Sequence, residues 1–102
     1  MSGHPFALDG RTALVTGAGR GLGLAIARAL AQAGAHVLVN GRSEETLAKA
    51  VRQIETEGGA ASALAFDVTD QGQVEAAFAR IAEEQGGLDI LVNNVGLRDR
   101  RP

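Results

Sequence analysis

The chain has 102 residues, 45% of them hydrophobic and 22% charged, with a formal net charge of -2. That length suits one globular domain at most, in which folding hides roughly two-thirds of the unfolded chain's surface, enough for a modest core. With no cysteine there are no disulfides, thiolate metal sites or cysteine nucleophiles. A near-neutral chain with only 3% aromatic residues makes a poor nucleic-acid binder.

Thr12 to Thr16 is a short apolar run that follows the turn pair Asp9-Gly10 and stops at Gly17, which predicts a strand. From Gly21 to Ala33 almost every residue is apolar and unbranched, with Gly34 as the stop, and a mostly buried helix is expected. His36 to Asn40, around Val37-Leu38-Val39, reads as a second strand. Ser43 then offers an N-cap with Glu44 and Glu45 in the first turn, where the helix dipole favours negative charge. Leu47, Val51 and Ile54 follow at helical spacing up to Gly58-Gly59. Ser62 to Val68 alternates through Leu64 and Phe66 as a third strand. Asp70 with Gln73 forms a capping-box pair ahead of an apolar helical face made of Val74, Ala77, Phe78 and Ile81, closed by Gly86-Gly87. Asp89 to Val92 is a fourth strand that runs into Asn93-Asn94-Val95-Gly96.

The order βαβαβαβ predicts an α/β fold with a parallel sheet and helical crossovers. Right-handed crossovers give the strand order 3-2-1-4, the first half of a doubly wound sheet. Strands apolar at consecutive positions, such as Ala13-Leu14-Val15 and Ile90-Leu91-Val92, expect cover on both faces. A fourth strand left as a long apolar edge is a liability, from which we expect further chain after Pro102. No apolar run approaches ~18 residues, so no membrane helix is expected. Met1-Ser2-Gly3-His4-Pro5 lacks the features of a signal peptide, which makes the cytoplasm the expected compartment.

Chemistry concentrates between the first strand and the first helix, where four of the 14 glycines fall within residues 17–23. Glycines there let backbone N–H groups approach a pyrophosphate seated on the helix N-terminus. The pattern Thr16-Gly17-Ala18-Gly19-Arg20-Gly21-Leu22-Gly23 has Leu22 where the general dinucleotide fingerprint has its last glycine. As Thr-Gly-x-x-x-Gly-x-Gly it resembles the short-chain dehydrogenase/reductase family, classical branch. The lead-in Leu8-Asp9-Gly10-Arg11-Thr12-Ala13-Leu14-Val15, the pair Asp67-Val68 and the run Asn93-Asn94-Val95-Gly96, with Val95 in place of the family's alanine, resemble that family in order and position.

The resemblance implies the first part of an NAD(P)-binding Rossmann domain spanning residues 1–102. Its cofactor contacts would come from Gly17, Gly19, Arg20, Gly21, Leu22 and Gly23, then from Asn40, Arg42 and Ser43. Asp67 and Val68 would meet the adenine and Asn93 the adenosine ribose, and Val95 and Gly96 would be further cofactor contacts. The order 3-2-1-4 places Gly17 and Asn93 on adjacent strands at the topological switch point.

An NAD-preferring site carries Asp or Glu at the end of the second strand to bind the ribose 2′-hydroxyl. Here Asn40-Gly41-Arg42-Ser43 stands instead, with no carboxylate to repel a 2′-phosphate and Arg42 able to pair with it. Arg20 resembles the second basic residue of NADP-preferring members. NADP(H) is therefore expected over NAD(H).

The family interconverts carbonyls and secondary alcohols with a Ser, a Tyr-x-x-x-Lys pair and a later Asn, all after the fourth strand. This chain has no tyrosine, and its one lysine is Lys49. Residues 1–102 are thus expected to hold the cofactor without turning over a substrate, as the cofactor-binding half of an oxidoreductase that is homo-oligomeric at full length. The alternative is a non-catalytic module that senses NADP(H) or docks a partner. Val39-Asn40-Gly41-Arg42 and the arginine-rich tail resemble gluconate 5-dehydrogenase-like or 3-oxoacyl-reductase-like members, whose small-molecule substrates are polyols, sugar acids or oxoacyl groups. Arg98-Asp99-Arg100-Arg101 reads as a solvated loop ahead of a patch for an acidic substrate, and His4 and His36 as structural or surface residues.

Overall fold

The computed structural model describes residues 7–94, which build one four-stranded parallel sheet in the order β3-β2-β1-β4. Its elements are β1 (Thr12–Val15), α1 (Gly21–Gln32), β2 (His36–Gly41), α2 (Glu44–Thr56), β3 (Ala60–Ala65), α3 (Gln71–Gln85) and β4 (Ile90–Val92). This is the first half of a doubly wound sheet, as the element order predicts.

Helices cover both faces. Ala13, Val15, Val37 and Val39 point to the side packed by α1 and α2, where Leu47 and Ile54 complete the larger core cluster. Leu14, Leu38 and Leu64 point to the other side, where Ala77 and Ile81 of α3 close over them together with Phe66. Alternate residues of each central strand therefore feed two separate cores, and that is why these strands read as continuous apolar runs.

The sequence expectation needs correcting at three elements. α1 is not mostly buried: only Gly23, Ala27 and Ala31 are, while Leu22 is 62% exposed. These three small residues, four apart, let the helix lie close to the sheet. The remaining alanines serve helix propensity rather than the core. The third strand spans Ala60–Ala65 rather than residues 62–68, because its ladder runs from His36↔Ala60 to Gly41↔Ala65 and stops where β2 stops. Phe66 and Val68 are apolar because they pack from the following loop into the α3 cluster. β4 is a three-residue edge and not a long one. Asp89 precedes it and anchors the start of β1, its Oδ2 accepting from the Thr12 N–H at 2.8 Å. Leu91 pairs in register with Leu14, so it shares the α3 face, where it is 53% exposed.

α2 and α3 start at side-chain caps. Ser43 Oγ accepts from the Thr46 N–H at 3.2 Å, and Asp70 Oδ1 accepts from the Gln73 N–H at 3.0 Å. Only half of the expected capping box forms at α3, because Gln73 Oε1 accepts from the Asp67 N–H at 2.8 Å. That bond ties the loop after β3 to α3.

At the opposite end of the helical layer, Arg28 of α1 grips Glu57 at the end of α2 with both Nε and Nη2, at 3.1 and 2.6 Å. This hydrogen bonding from Arg28 holds the Glu57 carboxyl below its ordinary value. A lowered folded-state pKa means stabilisation that is complete above the ordinary carboxylate range and disappears as pH falls through the lowered value. The difference in urea midpoint between the wild type and Glu57→Gln should be widest at neutral pH and close as pH falls through the lowered carboxyl value. A difference that does not change with pH would contradict this account of the pair.

Candidate functional site

The site forms at the carboxyl edge of the sheet, where β1 gives way to α1. Gly17 and Gly21 adopt φ of 60° and 62°, a left-handed backbone that glycine enters without a Cβ penalty. Between them the Ala18 N–H donates to the Asn40 carbonyl at 2.8 Å, which pins the loop to the end of β2. Gly23 is buried, and a Cβ there would overlap the Gly17 carbonyl oxygen. That same oxygen accepts from Asn94 Nδ2 at 3.2 Å. Thr16 Oγ1 donates to Asn93 Oδ1 at 3.0 Å and accepts from the Asn94 N–H at 2.9 Å. The two asparagines after β4 thus clamp the glycine loop, which brings residues 77 and 78 positions apart in sequence to one place.

α1 begins differently from the other helices. Its N-cap, Arg20, makes no side-chain capping bond, whereas Ser43 and Asp70 cap α2 and α3, and its first turn, like that of α3, holds no acidic residue. Its leading N–H groups and the positive end of the helix dipole therefore lack a side-chain cap, an arrangement that can receive an anion.

A cleft of about 630 Å³ opens over this helix end. Gly17, Gly19, Arg20, Gly21 and Leu22 form one wall; Gly41, Arg42 and Ser43 after β2, with Thr46 and Leu47 of α2, form the other. Asn94 completes the lining. A Cβ at Gly19 would come within 2.7 Å of Thr46 Cγ2, so this glycine sets how near the two walls stand. Arg42 is also part of the lining of an adjoining hollow of about 230 Å³ with Ala65, Phe66, Asp67 and Gln73.

At this junction Arg42 Nη2 lies 3.4 Å from Asp67 Oδ1. The Asp67 carboxylate also accepts from Thr69 Oγ1 at 2.7 Å and from the Thr69 N–H at 2.9 Å. Those Thr69 bonds, aided by Arg42, hold its pKa below the ordinary value.

The structure therefore gathers Gly17, Gly19, Arg20, Gly21, Leu22, Arg42 and Ser43 around one cleft, with Asp67 one hollow away. Gly23 lies beneath the loop. Asn40 is 1% exposed, and its Nδ2 donates to the Leu64 and Phe66 carbonyls at 3.1 and 3.0 Å, so its side chain braces β3. The Val68 side chain packs toward α3. Asn93 is engaged with Thr16, while Val95 and Gly96 lie outside the described residues. His36 Nε2 is 2.9 Å from Ser62 Oγ, a link across β2 and β3. Thr46 and Leu47 were not expected in the site. Their signal was present, since both follow the Ser43 cap by one turn, but only the packing of α2 on the loop turns that turn inward.

Known proteins share this fold. The model of the short chain dehydrogenase family matches residues 11–102. Gluconate 5-dehydrogenase of Gluconobacter oxydans is 50% identical over 101 residues, which is 97% of this chain and 40% of that protein. The crystal structure of a gluconate 5-dehydrogenase from Burkholderia cenocepacia in complex with NADP and tartrate superimposes with a TM-score of 0.83 at 49% identity, covering 95% of this chain and 38% of the other. L-Sorbose reductase from Gluconobacter frateurii, complexed with NADPH and L-sorbose, gives a TM-score of 0.83 at 35% identity over 91% of this chain and 36% of the other. The chain thus spans about two-fifths of the length of such relatives.

Gly23→Ala should lower stability by about 1–3 kcal/mol or more, since a backbone oxygen cannot step aside. Gly19→Ala meets only the end of the Thr46 side chain and should cost less. Urea unfolding of both variants checks this order; a Gly23→Ala protein as stable as the wild type would contradict the packing described here.

Proposed function

The chain belongs to the short-chain dehydrogenase family, and we propose that it is the cofactor-binding part of an oxidoreductase that uses NADP(H) to interconvert a carbonyl and a secondary alcohol. One observation carries the cofactor preference: the end of β2 presents Arg42 and Ser43 beside the cleft, with no carboxylate. A carboxylate there would repel a 2′-phosphate, whereas a guanidinium pairs with it through planar, charge-assisted bonds.

In this reading the uncapped start of α1 and the loop from Gly17 to Gly23 receive the pyrophosphate. Arg42, with Ser43 and Arg20, receives the 2′-phosphate, and the hollow beside Asp67 and Val68 takes the adenine. Asn93 contacts the ribose, and Val95 and Gly96 are further cofactor contacts in the same proposal. Asn40 acts from behind by tying the loop to β3. The fit is supported by Gly19, where a side chain would meet Thr46 across the cleft, and by Gly23, where one would push α1 off the loop. The bound nicotinamide supplies or accepts a hydride. The protein's part, so far as these residues carry it, is to hold and orient the cofactor and to offset its phosphate charge.

The relatives' names support a polyol, sugar acid or related small-molecule substrate for the whole protein. The same reading includes a homo-oligomer and the cytoplasm, a reducing compartment with which a cysteine-free chain is compatible. Among the described residues no helix is long and apolar enough to cross a membrane.

Arg42→Ala should weaken NADP(H) binding roughly tenfold, the loss of a charge-assisted contact, and leave NAD(H) binding within about twofold. Titration calorimetry with both nucleotides measures the ratio. Equal affinities in the wild type, or a ratio that Arg42→Ala leaves unchanged, would overturn the preference. A chain of residues 1–102, having no tyrosine to serve as acid/base, should give no NADPH-dependent reduction of a ketone above background. Turnover that survives repurification would show that other residues supply that chemistry.

A further inference from the structure

Arg42 already has a partner before any nucleotide arrives. Its Nη2 is 3.4 Å from Asp67 Oδ1, across a gap set by the register of β2 and β3, which pairs Gly41 with Ala65 and leaves the residues after both strands side by side. Resting on the NADP(H) reading, we infer that Asp67 is a specificity-determining residue whose carboxylate competes with the 2′-phosphate for the Arg42 guanidinium. It thereby holds the preference for phosphorylated nucleotides below what Arg42 alone would confer.

The two partners are not equally free to move. Asp67 is fixed three ways: its Oδ1 accepts from Thr69 Oγ1 and from the Thr69 N–H, and its own N–H donates to Gln73 Oε1. The Arg42 side chain is 75% exposed, and its bond to Asp67 is longer than either Thr69 bond. When a 2′-phosphate draws the guanidinium away, the carboxylate stays and keeps its charge, because the two Thr69 bonds still favour the ionised form. If Arg42 instead bridges both groups, the carboxylate and the phosphate face each other at close range and repel. Either route lowers the affinity for the 2′-phosphate and leaves a 2′-hydroxyl almost unaffected. The hollow beside Asp67 takes the adenine of both nucleotides alike, so any adenine contact cancels when the two are compared.

The test compares dissociation constants for 2′,5′-ADP and 5′-AMP, measured by calorimetry at fixed ionic strength on the wild type, Asp67→Asn, Asp67→Ala and Arg42→Ala. Asp67→Asn keeps an oxygen for Thr69 and should raise the preference for 2′,5′-ADP roughly two- to fivefold, the range of an exposed ion pair. Asp67→Ala should raise it similarly, even if both absolute affinities fall. If Arg42→Ala abolishes the wild-type preference while both Asp67 variants leave the ratio unchanged or lower it, this inference fails and the NADP(H) reading stands. A wild type with no preference for 2′,5′-ADP would overturn that reading and the inference with it.

Discussion

The carbonyl oxygen of Gly17 is the point on which the carboxyl edge of the sheet depends. It faces inward, in contact with the Gly23 backbone and bonded by Asn94 Nδ2. Those contacts bring the end of β1, the first turn of α1 and the residues after β4 into one knot. No side chain fits at Gly23, so α1 can start directly behind the loop, and the loop can be glycine-rich without being slack. Small residues continue the same constraint along α1, where Ala27 and Ala31 keep the helix close to β1 and β2. A larger residue on that stripe would lift the helix and with it the cradle.

Electrostatics follow from that placement. α2 and α3 satisfy their first turns internally through Ser43 and Asp70, whereas α1 has neither a side-chain cap nor an acidic residue to complement its dipole. Among the described helices α1 is the one whose N-terminus has no side-chain cap, and the proposed function assigns that end to a ligand anion. In the proposed function Arg42 adds a charge for the nucleotide's 2′ position rather than for the pyrophosphate. Its pairing with Asp67 means that this charge is partly neutralised in the free protein.

Much of this was legible in the sequence because its determinants are local. Caps at Ser43 and Asp70, glycine stops and apolar runs of strand length mark the elements, and chirality alone then orders the sheet. The errors arose where a boundary or a burial is set by a distant partner. β3 ends at Ala65 because β2 ends at Gly41, a fact of pairing that the apolar Phe66 and Val68 conceal. α1 looked buried because alanine counts as apolar, yet in a helix it is equally a propensity choice. In the site, the glycine spacing and the missing carboxylate after β2 were readable. Thr46 and Leu47 reach the cleft only through the packing of α2, and the Arg42–Asp67 pair joins residues 25 positions apart through the β2–β3 register.

In the proposed function the loop and α1 hold the pyrophosphate while Arg42 and Ser43 hold the 2′-phosphate. Backbone amide chemical shifts followed during titration with NADP+ and then with NAD+ test it most directly. Saturable shifts are expected at Gly19, Arg20, Gly21 and Leu22 with either nucleotide, and shifts at Arg42 and Ser43 that are distinctly larger with NADP+. Shifts that spare the glycine loop, or that are the same at Arg42 and Ser43 for both nucleotides, would contradict it.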